Sequence, residues 1–396
     1  MSLKERILRE AETLFPETVK VRRHIHQHPE LSYVEYDTAS FISSRLDMMG
    51  IEHRKGIAGT GIVGVIRGEA ADSGLTIGLR AEMDALPVTE AGGPAYSSTR
   101  EGVMHACGHD AHMAMLLGTA ALLSRLRDEF AGTVILVFQP GEEKAPGGAR
   151  IMIESGIFDN YAPDIFIAQH VSPDLPAGTV GFHAGPAMAS CDEIYITVAG
   201  RGGHAARPSE YTDQVYIASE LVTSLKDTIT DVSIDRAPTV FGIGRIVGLG
   251  ATNVIPDTVE MACTFRTFDE EWRQAAKEII RETASGIAAK RGVTINVDIV
   301  EGYPVLNNNE ALTNRAATLC RSLLGTTRVH KMEARMGSED FSFFAERYPS
   351  FQYRLGTTTE GDIIKQLHTS SFDIDETSMM TGMAAMAWLT LNLIKD

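Results

Sequence analysis

Short apolar runs alternating with segments of helical period constrain this chain more than any other feature it has. Residues 61–67, 75–83, 133–138 and 165–170 read as strands, and residues 111–126 form a helical segment apolar on most faces. A strand with no polar face is covered on both sides, and strands joined through helices run parallel. The expected fold is mixed α/β, with a largely parallel, helix-covered sheet. Helices are expected ahead of it over residues 2–27 and 38–49.

At 396 residues the chain is too long for one ordinary core. A second pattern starts after Gly185-Pro186, with a strand over 193–199, a helix over 213–229 and strands over 239–247 and 258–267. A helix over 270–290 and a strand over 294–300 complete it. This βαββαβ order is the split arrangement of ferredoxin-like units. Past Gly302-Tyr303-Pro304 the earlier pattern resumes. The chain therefore reads as a discontinuous domain of residues 1–186 and 302–396, with residues 187–301 inserted.

The 52 acidic against 36 basic residues give a net charge of −16, which disfavours nucleic acid and anionic membranes as partners. No stretch reaches bilayer length, and residues 1–20 lack the apolar core of a signal peptide. Cys107, Cys191, Cys263 and Cys320 are scattered and do not make a disulfide framework, so a reducing, cytoplasmic setting is expected.

His105-Ala106-Cys107-Gly108-His109-Asp110-Ala111-His112 gathers four candidate metal ligands in a chain with only 12 histidines and 4 cysteines. Cys107 and His109, two residues apart, can face one point only from a loop or a helix entrance. Open α/β sheets hold their ligands beyond the C-terminal ends of the strands. Asp84, the pair Glu142-Glu143 and His170 each follow a strand run there, and His368 sits in a further strand-end loop. One cysteine, three histidines and a glutamate exceed a single tetrahedral site and suit two divalent ions. Thiolate and imidazole favour zinc or a neighbouring transition metal over magnesium or calcium. Of the two glutamates, one can hold metal while the other takes a proton from a metal-activated water.

These residues belong to a longer series: Arg22-Arg23 with His26 and His28-Pro29-Glu30-Leu31-Ser32, Leu79 to Pro87, the Cys107/His109 turn, Gln139 to Glu143, Gly200 to Pro208, Asn253 to Asp257, and Gly337 to Phe341. In that order the series resembles the amidohydrolase branch of the aminoacylase/carboxypeptidase metallopeptidases, which includes hippurate hydrolases and indoleacetyl-amino-acid hydrolases. The resemblance implies a zinc-peptidase-like catalytic domain carrying an inserted lid and dimerisation domain. It implies hydrolysis of N-acyl or N-aroyl amino acids by a homodimer with two divalent ions (zinc, manganese, cobalt or nickel) per subunit. Cys107, His109, Glu143, His170 and His368 match the metal ligands, Glu142 the general base and Asp84 an orienting carboxylate. His204, Asn253 and Arg266 match groups that polarise the scissile carbonyl and bind the substrate carboxylate, reaching into a partner's active site. The chain departs from the family at Glu82, where an aspartate is usual and to which no role is given, and at Lys144-Ala145-Pro146, where glycines are usual.

Other readings stand beside these. Gly59-Thr60-Gly61-Ile62-Val63-Gly64 matches a dinucleotide fingerprint but runs into a strand, so it reads as a turn rather than the mark of an oxidoreductase. A non-catalytic metal-dependent binder would not need the glutamate pair, and a dipeptidase or aminopeptidase would need an acidic pocket for a free amine. His24, His26 and His28 read as a helix end before Pro29. His112 and Asp110 read as packing or orienting groups, and Glu339-Asp340 as structural.

Overall fold

In the computed structural model, which describes residues 1–71, 74–359 and 361–395, the apolar runs form the middle of an eight-stranded sheet. Its strands in chain order are β1 (Glu52–Ile57), β2 (Gly61–Arg67), β3 (Thr76–Glu82), β4 (Thr133–Gln139), β5 (Ile165–Pro176), β6 (Val180–Phe182), β7 (Val329–Lys331) and β8 (Ser350–Thr358). They lie side by side as β1-β2-β4-β3-β5-β8-β6-β7. The central strands β4, β3, β5 and β8 are mutually parallel, whereas β1 and β2 add antiparallel at one side. β1 was not expected. Its Glu-His-Arg-Lys run has no apolar alternation, and it owes its place to pairing at the sheet edge, where charge is tolerated. The glycine-rich run 59–64 forms a turn entering β2, with no helix after it.

Three helices of this unit matter for the site: α1 (Leu3–Gln27), α2 (Tyr36–Met48) and α3 (His109–Arg125). Ser2 and Glu5 close a capping box at the start of α1. α3 is buried on almost every face and packs against α1 and the helix Ser378–Leu393. It begins two residues earlier than the apolar pattern predicts, because Gly108 caps it in a left-handed conformation (φ +83°). A Cβ at Gly108 would lie 2.5 Å from Val171 Cγ2, so no other residue fits between Cys107 and His109 without a shift.

Residues 1–185, 307–333 and 340–396 make up this unit, and residues 186–306 with 334–339 make up a second. The second is built on a four-stranded antiparallel sheet in the order Thr239–Val247, Thr258–Thr267, Asp192–Ala199, Thr294–Glu301. The helices Gln214–Ser233 and Glu270–Arg291, capped by Asp213 and Asp269, bury Leu221, Leu225, Trp272 and Ile280 among the sheet's apolar side chains. Buried Asp192 receives both Nε and Nη2 of Arg273 at 2.8 and 2.6 Å, and Arg273 also bonds the Gly302 carbonyl at 3.2 Å. That clasp keeps residues 302–306 with the second unit. Among the described residues no helix is long and apolar enough to cross a membrane.

Candidate metal centre

Register brings the chemistry to one level of the first unit. Glu82 pairs with Gln139 and Arg80 with Ala168, so the end of β3, the end of β4 and His170 stand abreast. His170 lies inside β5 rather than after its end, because β5 leaves β3 at Ala168 and continues along β8. Asp84 follows β3, and Glu142-Glu143 follow β4. The ligand atoms of Cys107, His109 and His170 lie within 4.8 Å of one another, as do those of Cys107, Glu143 and His368, and those of His109, Glu142 and Glu143. Three overlapping triads, sharing Cys107, His109 and Glu143, suit a pair of adjacent cations better than one.

Hydrogen bonds fix which nitrogen of each ring is available. His109 Nδ1 is 2.8 Å from the Asp84 carbonyl oxygen and His170 Nδ1 is 2.8 Å from that of Val171. A carbonyl only accepts, so both rings carry their proton on Nδ1 and present a lone pair at Nε2. His109 Nε2 is buried with no hydrogen-bond partner among the described residues, and His170 Nε2 points to Cys107 Sγ at 3.6 Å. His368 Nε2 is 3.3 Å from both Cys107 Sγ and Glu143 Oε1. Its backbone is left-handed (φ +62°), and its N–H bonds the Ala106 carbonyl at 2.8 Å, tying it to the cysteine loop. Such a set, with imidazoles oriented through Nδ1 and an orphaned Nε2, fits divalent transition metal. Burial, with Glu143 and Glu142 alongside, pushes the Cys107 thiol well above its ordinary range. Only a cation would hold it there as thiolate.

His105 and His112 do not join the ligands. His105 is buried, and burial pushes it down to about 3, but among the described residues neither nitrogen is hydrogen-bonded and it belongs to none of the clusters of ligand atoms. His112 Nε2 accepts the Val171 N–H at 2.9 Å, which leaves Nδ1–H to donate to Glu82 Oε2 at 2.8 Å. With both nitrogens engaged it has no lone pair to offer, although it lies close enough to Glu82 and His109 to form a further cluster.

Glu82, to which the sequence assigned nothing, is the hinge of a buried network. It accepts from Arg80 and from His112, and despite burial these hold its carboxyl well below the usual range. Arg80 continues to Gln139 at 2.9 Å and to Asp340 at 2.6 Å, and Gln139 itself bonds Asp340. The available signal was Arg80 and Glu82 inside an otherwise apolar strand, since buried charges must find each other. His26 lies in the last turn of α1, as its helix-end reading expects, and is in addition buried with Nδ1 2.8 Å from Asp110 Oδ2, which Arg22 also contacts at 2.8 Å.

The remaining predicted residues lie in the second unit. The short strands Gly203–His204 and Val254–Ile255 pair, and the Ala205 N–H bonds the Asn253 carbonyl at 3.1 Å, so His204 and Asn253 are neighbours. His204 is exposed, and its Nδ1 accepts the Ala206 N–H at 3.2 Å, so its neutral ring carries a donor at Nε2. Arg266, half-buried on Thr258–Thr267, sends Nη1 to the Met336 carbonyl at 2.9 Å.

A centrally parallel α/β sheet with a thiol–imidazole–carboxylate cluster gathered about its strand ends defines a metallohydrolase class. The chain belongs to peptidase family M20/M25/M40, matched over residues 78–392. It is a metal-dependent hydrolase of carbon–nitrogen bonds. It is 38% identical to thermostable carboxypeptidase 2 of Saccharolobus solfataricus over 99% of both chains. It is 35% identical to an N-acetylcysteine deacetylase of Bacillus subtilis, over 95% of this chain and 97% of the relative. Among solved structures, a dinuclear metal-binding M20 peptidase of Bacillus subtilis is 34% identical and superposes with a TM-score of 0.84, covering 97% of this chain and 99% of that one.

Proposed function

We propose that the protein is an amidohydrolase that cleaves N-acyl or N-aroyl amino acids to a carboxylic acid and a free amino acid, with two divalent ions per subunit. The carrying observation is the cluster in the first unit: two histidines turned by backbone carbonyls toward Cys107, Glu143 and His368, beside Glu142. The ions, when bound, supply an activated water and positive charge for the scissile carbonyl. Cys107, His109, Glu143, His170 and His368 hold them, and Asp84 fixes the His109 ring. Glu142, buried beside His109, takes the proton from the attacking water and returns it to the leaving amine. Arg266 suits a free carboxylate, which a guanidinium grips with two bonds. Zinc, manganese, cobalt and nickel all suit this donor set, and the free cysteines suit a cytoplasmic enzyme.

The carboxypeptidase relative supports a second reading with the same chemistry. An N-acyl amino acid is the smallest unit with the amide and free carboxylate of a peptide C-terminus. A panel of N-acetyl amino acids, hippurate, indoleacetyl conjugates and dipeptides with each metal separates the two. Turnover confined to N-acyl substrates is expected, and faster release of C-terminal residues from free peptides would favour the peptidase. No turnover of either would sink both.

We further infer a homodimer formed through the second unit, with the His204 donor supplied to a second copy's cluster. Val215, Tyr216, Ile246, Leu249 and Val254 of that unit are exposed, an apolar set that association would cover. Mixing His204→Ala with Glu142→Gln subunits is expected to restore activity that neither has alone. Verified mixed dimers without recovery would mean self-contained subunits.

A further inference from the structure

We propose that residues 31–35 act as a strap that sets the position of Glu142, with Tyr33 and Glu35 as positioning residues that touch neither substrate nor metal. This rests on the reading of Glu142 as general base. Glu35 is wholly buried, and among the described residues no cationic side chain pairs with it. Its Oε1 accepts the Gly141 N–H at 2.9 Å and the Tyr33 N–H at 2.9 Å, and its Oε2 accepts the Thr60 hydroxyl at 2.6 Å. A carboxyl group kept inside a protein without a counter-ion costs stability, and here one of its acceptors joins the strap's own Tyr33 N–H to that of Gly141, the residue just before Glu142.

Tyr33 holds the other side. Its hydroxyl donates to the Lys144 carbonyl at 2.8 Å and accepts the Gly147 N–H at 3.2 Å. Its ring lies against Gly141, where a Cβ would come within 2.4 Å of Tyr33 Cε1. Both residues are left-handed, Gly141 at φ +57° and Tyr33 at φ +67°. An unfavourable conformation at a non-glycine residue persists only where its surroundings impose it. A third tie is Ser32, whose hydroxyl donates at 2.7 Å to the Asp84 carboxylate, which also accepts the Glu143 N–H at 2.9 Å. The turn bearing the glutamate pair is thus gripped before, at and after it.

Positioning matters because a misplacement of about 1 Å can lower a rate by about 10²-fold. The test measures kcat, KM and bound metal for Glu35→Ala, Glu35→Gln and Tyr33→Phe, alone and combined with Glu142→Gln, on the panel's best N-acyl amino acid. Glu35→Ala should lower kcat by about 10²-fold with KM and metal content little changed. Glu35→Gln should recover most of it, since an amide oxygen still accepts the Gly141 N–H. Tyr33→Phe, which keeps the ring, should cost roughly three- to tenfold. In the Glu142→Gln background Glu35→Ala should cost nothing further, since its effect runs through that carboxylate. Multiplying losses there, loss of metal, or near-normal kcat in Glu35→Ala and Tyr33→Phe would overturn the strap alone. Near-normal turnover in Glu142→Gln would instead overturn the base assignment, and the strap's purpose with it.

Discussion

Glu142→Gln is expected to lower turnover by about 10²–10⁴, the usual contribution of a positioned general base, while bound metal stays unchanged. The two side chains have nearly the same shape, so the pocket is kept, but the amide cannot take up the proton that the attacking water must lose. Glu143, its neighbour in the His109 triad, remains to hold metal, and the N–H of Glu143 remains on Asp84. Steady-state rates on metal-replete protein, with metal counted by mass spectrometry, read both quantities. Loss of rate together with metal would mark Glu142 as a ligand, and retention of both would remove it from the chemistry.

Arg80→Met is expected to destabilise the protein by about 3–5 kcal/mol, since removing one member of a buried ion network leaves the others uncompensated. Arg80, Glu82 and Asp340 are all fully buried, and the guanidinium bonds both carboxylates as well as Gln139. Methionine fills the space without charge. The deficit should be largest near neutral pH and shrink as pH falls. In the native protein Glu82 is held low, so its contribution is present above the unfolded carboxyl value and lost as pH drops through the folded one. Without Arg80 that advantage shrinks to what His112 supplies, and protonating the carboxyls relieves the penalty. Denaturant midpoints over a pH series measure this, and a shift under about 1 kcal/mol at neutral pH would contradict it.

What the sequence disclosed depended on how local the cause was. Cys107 and His109 were legible as a pair because their spacing admits only a loop or a helix entrance, and the structure makes it a helix entrance, with Gly108 at φ +83°. Strands β2, β4 and β5 were legible as apolar runs and β3 as one broken by Arg80 and Glu82, though β5 ran on past His170 because β8, nearly two hundred residues away, pairs with it. β1 was not, since its charges are tolerated only by the edge it occupies. Glu82, Arg80 and Asp340 were visible as misplaced charges, yet which meets which is settled by register and by a contact spanning 260 positions. The ties from Ser32, Tyr33 and Glu35 to residues fifty to over a hundred positions on leave no periodic trace.

Crystals grown with manganese or zinc and measured across the absorption edge of that metal would address the centre itself. Two anomalous peaks are expected in each subunit, bounded by Cys107, His109, Glu143, His170 and His368, with Glu142 beside them and His112 outside. Absence of peaks from that cluster in metal-saturated crystals, or metal bound only elsewhere on the chain, would contradict the account.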